Sequence, residues 1–261
     1  MPLEPFVIAH AACKGHAPEN TLAGLRAALE LGADGMEVDV QATADGVPVL
    51  LHDPTVDRTT DGQGEVAKMS LAQVKALDAG ARQADAPSGF EGRFAGEPVP
   101  TLAEALDLTR GRALMVLEIK QFDIEEQVLR VVRDLGAVND CVVHSFLPQI
   151  VARCRALEPS LPAALLTSAA DVTDWASLFA FALSLNAQGV SVFFPRVDAG
   201  VVRQAHLRKL FLYTWTVNEA KDMRRLRDCG VDAITTDYPD RLRAARPPAA
   251  SEGGRAGASQ P

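Results

Sequence analysis

Positive charge is in short supply: 26 Lys and Arg stand against 34 Asp and Glu, a formal net charge of −8. A surface of that sign repels polyanions, which argues against a groove that reads nucleic-acid phosphates with basic side chains. Cysteine is scarce too. Cys13, Cys141, Cys154 and Cys229 form no Cys-x-x-Cys pair and lie too far apart for a compact disulfide scaffold, so reduced thiols in a cytoplasmic protein are expected. The opening Met1-Pro2-Leu3-Glu4-Pro5 lacks the basic-then-apolar pattern of a secretory signal. No apolar run approaches the ~20 residues of a membrane span. The longest, around Leu178 to Leu185, is broken by Asn186 and Gln188, so no stable membrane insertion is expected. Gly-rich phosphate motifs are missing, which removes support for a dinucleotide-binding fold.

What is present is 261 residues of 48% apolar composition, enough for one large α/β core. β-rich runs alternate with helical patterns along almost the whole chain. Strands are expected near Phe6–His10, Gly35–Val40, Leu114–Lys120, Cys141–Phe146, Pro162–Thr167, Gly189–Phe194, Leu210–Val217 and Asp232–Thr236. Helices are expected near Asn20–Leu31, Leu102–Thr109, Ile124–Leu135, Pro148–Leu157, Val172–Leu185, Ala199–His206 and Ala220–Asp228. Eight strand–helix units predict a (β/α)8 barrel rather than an open sheet. The Ala44-Asp45-Gly46 turn predicts that Val47–His52 folds back antiparallel on the second strand, bringing His52 opposite or nearly opposite Glu37. An insertion over about 53–100 follows, within a barrel domain of residues 1–245. The Pro-, Ala-, Gly- and Ser-rich stretch 246–261 reads as a disordered tail.

Side chains on a strand alternate between faces, so Glu37 and Asp39 share one side while Met36, Val38 and Val40 take the other. Leu117-Glu118-Ile119-Lys120 repeats the pattern. One such acid alone fits a solvated face or an ion pair with Lys120. Three on strands covered on both faces point instead to a buried oxygen-donor site suited to one divalent cation, Mg²⁺ or Ca²⁺. His10 and His52 close strands at the same rim, where barrel active sites are built, and two imidazoles there suit acid–base work. His16, His144 and His206 receive no role; His144 precedes Ser145 on the opposite pleat.

The ordered set of motifs resembles the glycerophosphodiester phosphodiesterase family. It comprises His10 with Ala17-Pro18-Glu19-Asn20-Thr21, Gly32 through Val40, Thr43-Ala44-Asp45-Gly46 leading to His52-Asp53, and Arg58-Thr59-Thr60. It continues through Pro100-Thr101-Leu102 with Glu104, Leu117 through Lys120, Ser145-Phe146, Trp215 through Asn218 and Thr236-Asp237-Tyr238-Pro239. The resemblance implies hydrolysis of glycerophosphodiesters to glycerol 3-phosphate and an alcohol. It implies Glu37, Asp39 and Glu118 as metal ligands and His10 and His52 as general acid and base. Lys120 would contact the phosphate, and Trp215 the glycerol moiety.

One departure stands out: the family usually follows its first catalytic His with Arg-Gly, whereas this chain reads His10-Ala11-Ala12-Cys13. The missing guanidinium would make a charge-assisted contact worth ~1.5–3 kcal/mol. Two alternatives follow from the sequence. One is a weakly active or non-catalytic phosphodiester-binding barrel. The other is a lysophospholipid- or sphingomyelin-cleaving relative, disfavoured by the lack of a secretory signal and of an evident exposed aromatic cluster.

Overall fold

Apart from one hairpin and the insertion that follows it, strand and helix alternate through the described residues, and every strand but one belongs to a parallel barrel. The computed structural model describes residues 4–81, 93–168, 172 and 174–244. The expected tail at 246–261 and the Gly- and Pro-rich part of the insertion at 82–92 lie outside them. The strands are β1 (Phe6–Ala9), β2 (Gly35–Ala42), β3 (Pro48–Leu50), β4 (Leu114–Ile119), β5 (Cys141–Ser145), β6 (Ala163–Thr167), β7 (Gly189–Phe193), β8 (Phe211–Trp215) and β9 (Ala233–Thr236). The helices are α1 (Leu22–Glu30), α2 (Leu71–Lys75), α3 (Leu102–Thr109), α4 (Glu125–Asp134), α5 (Pro148–Leu157), α6 (Trp175–Ser184), α7 (Ala199–Leu207), α8 (Ala220–Cys229) and α9 (Pro239–Ala244). β1 pairs with both β9 and β2, closing a (β/α)8 barrel in the order β1-β9-β8-β7-β6-β5-β4-β2. All eight expected barrel strands are present.

Local chemistry sets the helix ends. Thr21, Thr101, Asp174 and Asp198 each cap a helix by accepting a backbone N–H, and Thr101 with Glu104 forms a reciprocal capping box. The Asp174 cap starts α6 at Trp175 instead of the expected Val172. β3 pairs antiparallel with β2, as the Asp-Gly turn predicts, with Val40 beside Leu50 and Ala42 beside Pro48. The Leu51 N–H then donates to the Asp39 carbonyl at 3.0 Å. Continued once more, this register sets His52 level with Val38, one residue from Glu37. The insertion carries α2 and a small core of its own, including Val56, Val66 and Val74.

The barrel wall separates two populations of side chains. Val7, Met36, Val38, Val40, Leu117, Ile119, Val143 and Val190 point outward into the main core under the helices. The opposite pleat fills the interior in two zones. Ile8, Leu114, Val116, Phe211, Tyr213 and Ala233 form an apolar floor toward the N-terminal strand ends. Toward the C-terminal ends the same pleat carries Glu37, Asp39, Glu118, Lys120 and His144. Along β4, for example, Leu114 and Val116 belong to the floor and Glu118 to the upper zone.

α1 lies against the turn that follows β1. A Cβ at Gly24 would stand 2.2 Å from the Ala12 carbonyl oxygen, so only glycine permits this approach. Gly24→Ala is expected to destabilise by about 1–3 kcal/mol through overpacking. The check is a lower urea midpoint with an unchanged denaturant slope.

Candidate active site

The first site element is a turn held in a conformation that side chains disfavour. Ala11, Ala12 and Cys13 have φ of 44°, 58° and 79°, three successive non-glycine residues in the left-handed region. Each costs ~1–2 kcal/mol for an L-residue. Surrounding bonds hold the turn: the Ala11 N–H donates to Glu37 Oε2 at 2.9 Å, and the Ala11 carbonyl accepts from the Asn20 N–H at 2.9 Å. Ala12 occupies the position where the resembled family carries Gly, and its φ is one that glycine adopts freely.

His10 opens this turn. Its Nδ1 lies 2.7 Å from Asp237 Oδ1, and its Nε2 is 4.0 Å from Glu37 Oε2. A carboxylate only accepts, so Nδ1 carries a proton and Nε2 is the nitrogen toward the acids. Asn218 fixes Asp237 in turn, donating from Nδ2 to Oδ2 at 2.7 Å. Burial works to lower the His10 pKa, but the Asp237 hydrogen bond and the Glu37 charge outweigh it, and the pKa rises above 6.5. Asp237 moves the other way: burial favours its neutral form, yet His10 and Asn218 hold it below the ordinary carboxylate value.

His52 is built the same way from other parts. Its Nδ1 lies 2.6 Å from Asp53 Oδ1, and the Arg58 guanidinium holds Asp53 through Nε at 2.7 Å. The fork of Arg58 grips Glu19 at 2.9 and 2.6 Å. The Glu19–Arg58–Asp53–His52 chain thus ties the loop before α1 to the hairpin. Asp53 thus orients the His52 ring. The contribution of Glu19 and Arg58 follows only from the fold.

Between the two histidines lie the acids. Glu37, Asp39 and Glu118 are 2%, 2% and 6% exposed. Lys120 Nζ bridges Asp39 Oδ1 at 3.0 Å and Glu118 Oε1 at 2.5 Å. Burial alone would lower the Lys120 pKa, but the carboxylates Asp39 and Glu118 raise it. Asp39 also accepts from Asn20 Nδ2 at 2.7 Å, so both its oxygens are engaged. Burial, with the charges of Asp39 and Glu37, raises the Glu118 pKa against the pull of His144 and Lys120. Glu37 is shifted oppositely: burial pushes it up, but His144, His10 and the Ala11 N–H together bring it down.

The residue missed from sequence is His144. It is level with Glu118 on the adjacent strand and therefore shares its inward pleat. Ser145, counted among rim residues from sequence, points the other way and donates to the Ile119 carbonyl at 2.8 Å. His144 Nε2 lies 3.6 Å from Glu37 Oε1 and 3.8 Å from Glu118 Oε2, beyond hydrogen-bonding distance. Glu37 Oε1 and His144 Nε2 are both buried with no hydrogen-bond partner. Two such atoms facing one another are costly unless something is bound between them. The donor atoms of Glu37, Glu118 and His144 lie within 4.8 Å of one another, so the residues present fit a metal ion.

All seven residues expected at the site, His10, Glu37, Asp39, His52, Glu118, Lys120 and Trp215, line one cleft of about 220 Å³ that also includes His144. Trp215 meets Phe146 and Phe193, each with ring centroids 5.5 Å away, and those phenylalanines are 43% and 38% exposed. An exposed aromatic group therefore does stand at the rim, correcting the reading from sequence. It went unseen there because its members come from β7, β8 and the end of β5, and only barrel closure gathers them.

These features define a class: a (β/α)8 barrel whose C-terminal end holds a buried acid–imidazole centre flanked by two carboxylate-fixed histidines. Within it, residues 10–241 match the Glycerophosphoryl diester phosphodiesterase family, and the chain belongs to that family. It is 35% identical over 246 residues to a glycerophosphodiester phosphodiesterase of Caldanaerobacter subterraneus, covering 92% of this chain and 97% of that relative. A glycerophosphodiester phosphodiesterase structure from Agrobacterium tumefaciens has a TM-score of 0.78 at 29% identity, covering 92% of this chain and 99% of that one. The structure of an Oleispira antarctica phosphodiesterase in complex with the product sn-glycerol-3-phosphate has a TM-score of 0.80 at 29% identity, covering 93% and 96%.

The His10–Asp237 pair sets a testable pH behaviour. Its contribution to stability needs Asp237 ionised and His10 protonated. It is therefore lost as pH falls through the depressed Asp237 pKa and again as pH rises through the elevated His10 pKa. In the chelated protein, NMR titration should place the His10 pKa above 6.5. Asp237→Asn should lower it; an unchanged value would refute the pairing.

Proposed function

We propose that this chain hydrolyses glycerophosphodiesters to glycerol 3-phosphate and an alcohol at the cleft between His10 and His52, with one divalent cation held by Glu37, Asp39 and Glu118. The observation that carries this reading is the buried, unpartnered Glu37 Oε1 aimed into a group of carboxylates that hold a single lysine between them. Oxygen donors of this kind suit Mg²⁺ or Ca²⁺. The Oleispira relative, solved with sn-glycerol-3-phosphate, supports the product assignment.

When bound, the cation supplies Lewis-acid polarisation of a phosphate oxygen. Lys120 is the one Lys or Arg lining the cleft among the described residues, and it balances phosphate charge that Ala11 cannot reach. His10 and His52, each with Nδ1 fixed on a carboxylate, offer Nε2 for proton transfer. One takes the proton of the attacking hydroxyl, and the other gives a proton to the departing alcohol oxygen as the P–O bond breaks. The attacker is either water or the substrate's own neighbouring hydroxyl, and only the second route releases a cyclic phosphate. Trp215 packs against the glycerol moiety. A binding-only barrel has two oriented histidines against it, since binding alone gives no reason to fix both Nδ1 atoms.

Cytoplasmic residence fits the free cysteines. Cys13, Cys141 and Cys154 have thiols that burial pushes up to about 12. No helix among the described residues is long and apolar enough to cross a membrane.

A second substrate reading draws on the exposed Phe146 and Phe193 beside Trp215, which could receive the acyl chain of a lysophospholipid. Turnover of glycerophosphocholine and lysophosphatidylcholine by the same preparation separates the two. The soluble diester is expected to have the higher kcat/KM; the reverse would make the aromatic rim an acyl site.

Activity on glycerophosphocholine should vanish with chelator and return with Mg²⁺ or Ca²⁺. His10→Ala and His52→Ala should each lower kcat by about 10²–10⁴. Full activity in either variant would end the two-histidine scheme.

A further inference from the structure

We infer that His144 is a nitrogen ligand in the cation site, held for that purpose by Tyr213, and that the site therefore selects borderline divalent ions such as Co²⁺ or Zn²⁺ over Mg²⁺ and Ca²⁺. The inference rests on the proposed metal site and names its ion class.

The argument begins with the ring itself. His144 is 3% exposed, and its two nitrogens have different surroundings. Nδ1 lies 2.7 Å from Tyr213 Oη, a hydrogen bond. Nε2 has no hydrogen-bond partner and faces Glu37 Oε1 and Glu118 Oε2 at 3.6 and 3.8 Å. Suppose Nε2 carried the proton: its N–H would face two acceptors, both beyond the ~2.7–3.2 Å range of such bonds. If Nδ1 carries it instead, Nδ1–H donates to Tyr213 Oη and the Nε2 lone pair is directed at the acids. Lone pairs facing lone pairs at these distances are unfavourable, and a cation between them relieves this: a proton on Nε2 in the metal-free protein, or a metal ion that takes its place.

The spacing fits one. Donors on a common ion with bonds of ~2.1 Å lie at most ~4.2 Å apart. Both His144 contacts fall inside that limit. Tyr213 is in place to fix the tautomer. It is 3% exposed and its ring lies close to parallel with that of His144, centroids 5.9 Å apart. With His144 Nδ1–H donating to Tyr213 Oη, Nε2 is the nitrogen left toward the acids. Partners of this kind on the distal nitrogen orient metal-bound imidazoles generally.

Ion selectivity follows from donor chemistry. Mg²⁺ and Ca²⁺ take oxygen donors, whereas imidazole nitrogen suits first-row transition ions and Zn²⁺. A His contributed from β5 to an otherwise carboxylate site tilts it toward the second group.

The test is direct binding, read without turnover, on the full-length chelated protein. Isothermal titration with Co²⁺ and Mg²⁺ should give Co²⁺ at least 100-fold tighter binding. His144→Gln should weaken Co²⁺ at least tenfold and alter its visible absorption, while leaving Mg²⁺ within about threefold. Tyr213→Phe should weaken Co²⁺ about tenfold. Should His144→Gln fail to fold, pulsed EPR of Mn²⁺ bound to the His10→Ala/His52→Ala double variant still decides, because His144 is then the one histidine left among those lining the cleft. Equal Co²⁺ affinity and spectrum in His144→Gln, or no nitrogen coupling to Mn²⁺, overturns the inference and leaves the oxygen-ligand reading standing. No binding of any divalent ion by the parent protein overturns both.

Discussion

Charge imbalance inside the barrel is the constraint around which the upper half of the molecule is arranged. Glu37, Asp39 and Glu118 share the interior with one lysine, Lys120, and all three acids are almost fully buried. Ionised together, they leave an excess of two negative charges in a medium where uncompensated charge is very costly. The opposed pKa shifts of Glu37 and Glu118 are the metal-free protein's response: one acid is held ionised by His144, His10 and a backbone N–H, while the other is driven toward its neutral form. A dication held there, as proposed, would cancel the whole excess at once. Stability of the empty site and affinity for the ion are thus opposite readings of the same electrostatic strain.

The apolar floor makes that strain tolerable. Ile8, Val116, Ala164 and Tyr213 are buried beneath the charged zone, and the outward pleat of the same strands is anchored in the main core. Each fully buried aliphatic side chain contributes roughly 1.5–3 kcal/mol. Dozens of such side chains in the wall and helix layer can carry a few unfavourable carboxylates and the left-handed turn at residues 11–13. Division of labour along each strand, with packing at the N-terminal end and chemistry at the C-terminal end, is what the (β/α)8 architecture allows.

Much of this was legible because strand parity is a hard rule. Gly35–Val40 and Leu117–Lys120 announce inward acids through alternation alone, and the Asp-Gly turn announces the hairpin. Where sequence reading went astray, the cause was parity without an anchor. Cys141–Phe146 carries one polar residue on each pleat, His144 on one and Ser145 on the other, so nothing in the run says which faces in; the Glu118–His144 register supplies the answer. The aromatic rim was obscured for a related reason: it depends on which distant strand ends become neighbours when the barrel closes.

The Ala11 substitution gains its meaning from Lys120. A guanidinium in the first turn would face phosphate with a charge of its own. Ala11 is 3% exposed and serves the site only through its N–H on Glu37. The cleft then depends on Lys120, whose charge is already engaged by Asp39 and Glu118 in the metal-free protein. On the proposed function, Asp39 and Glu118 would hold the cation as well, and Lys120 between them is the ammonium placed to offset phosphate charge. With Ala11 where the resembled family carries Arg, cation and anion would then depend on the same Asp39–Lys120–Glu118 group, because a separate Lys or Arg side chain is missing from the cleft among the described residues.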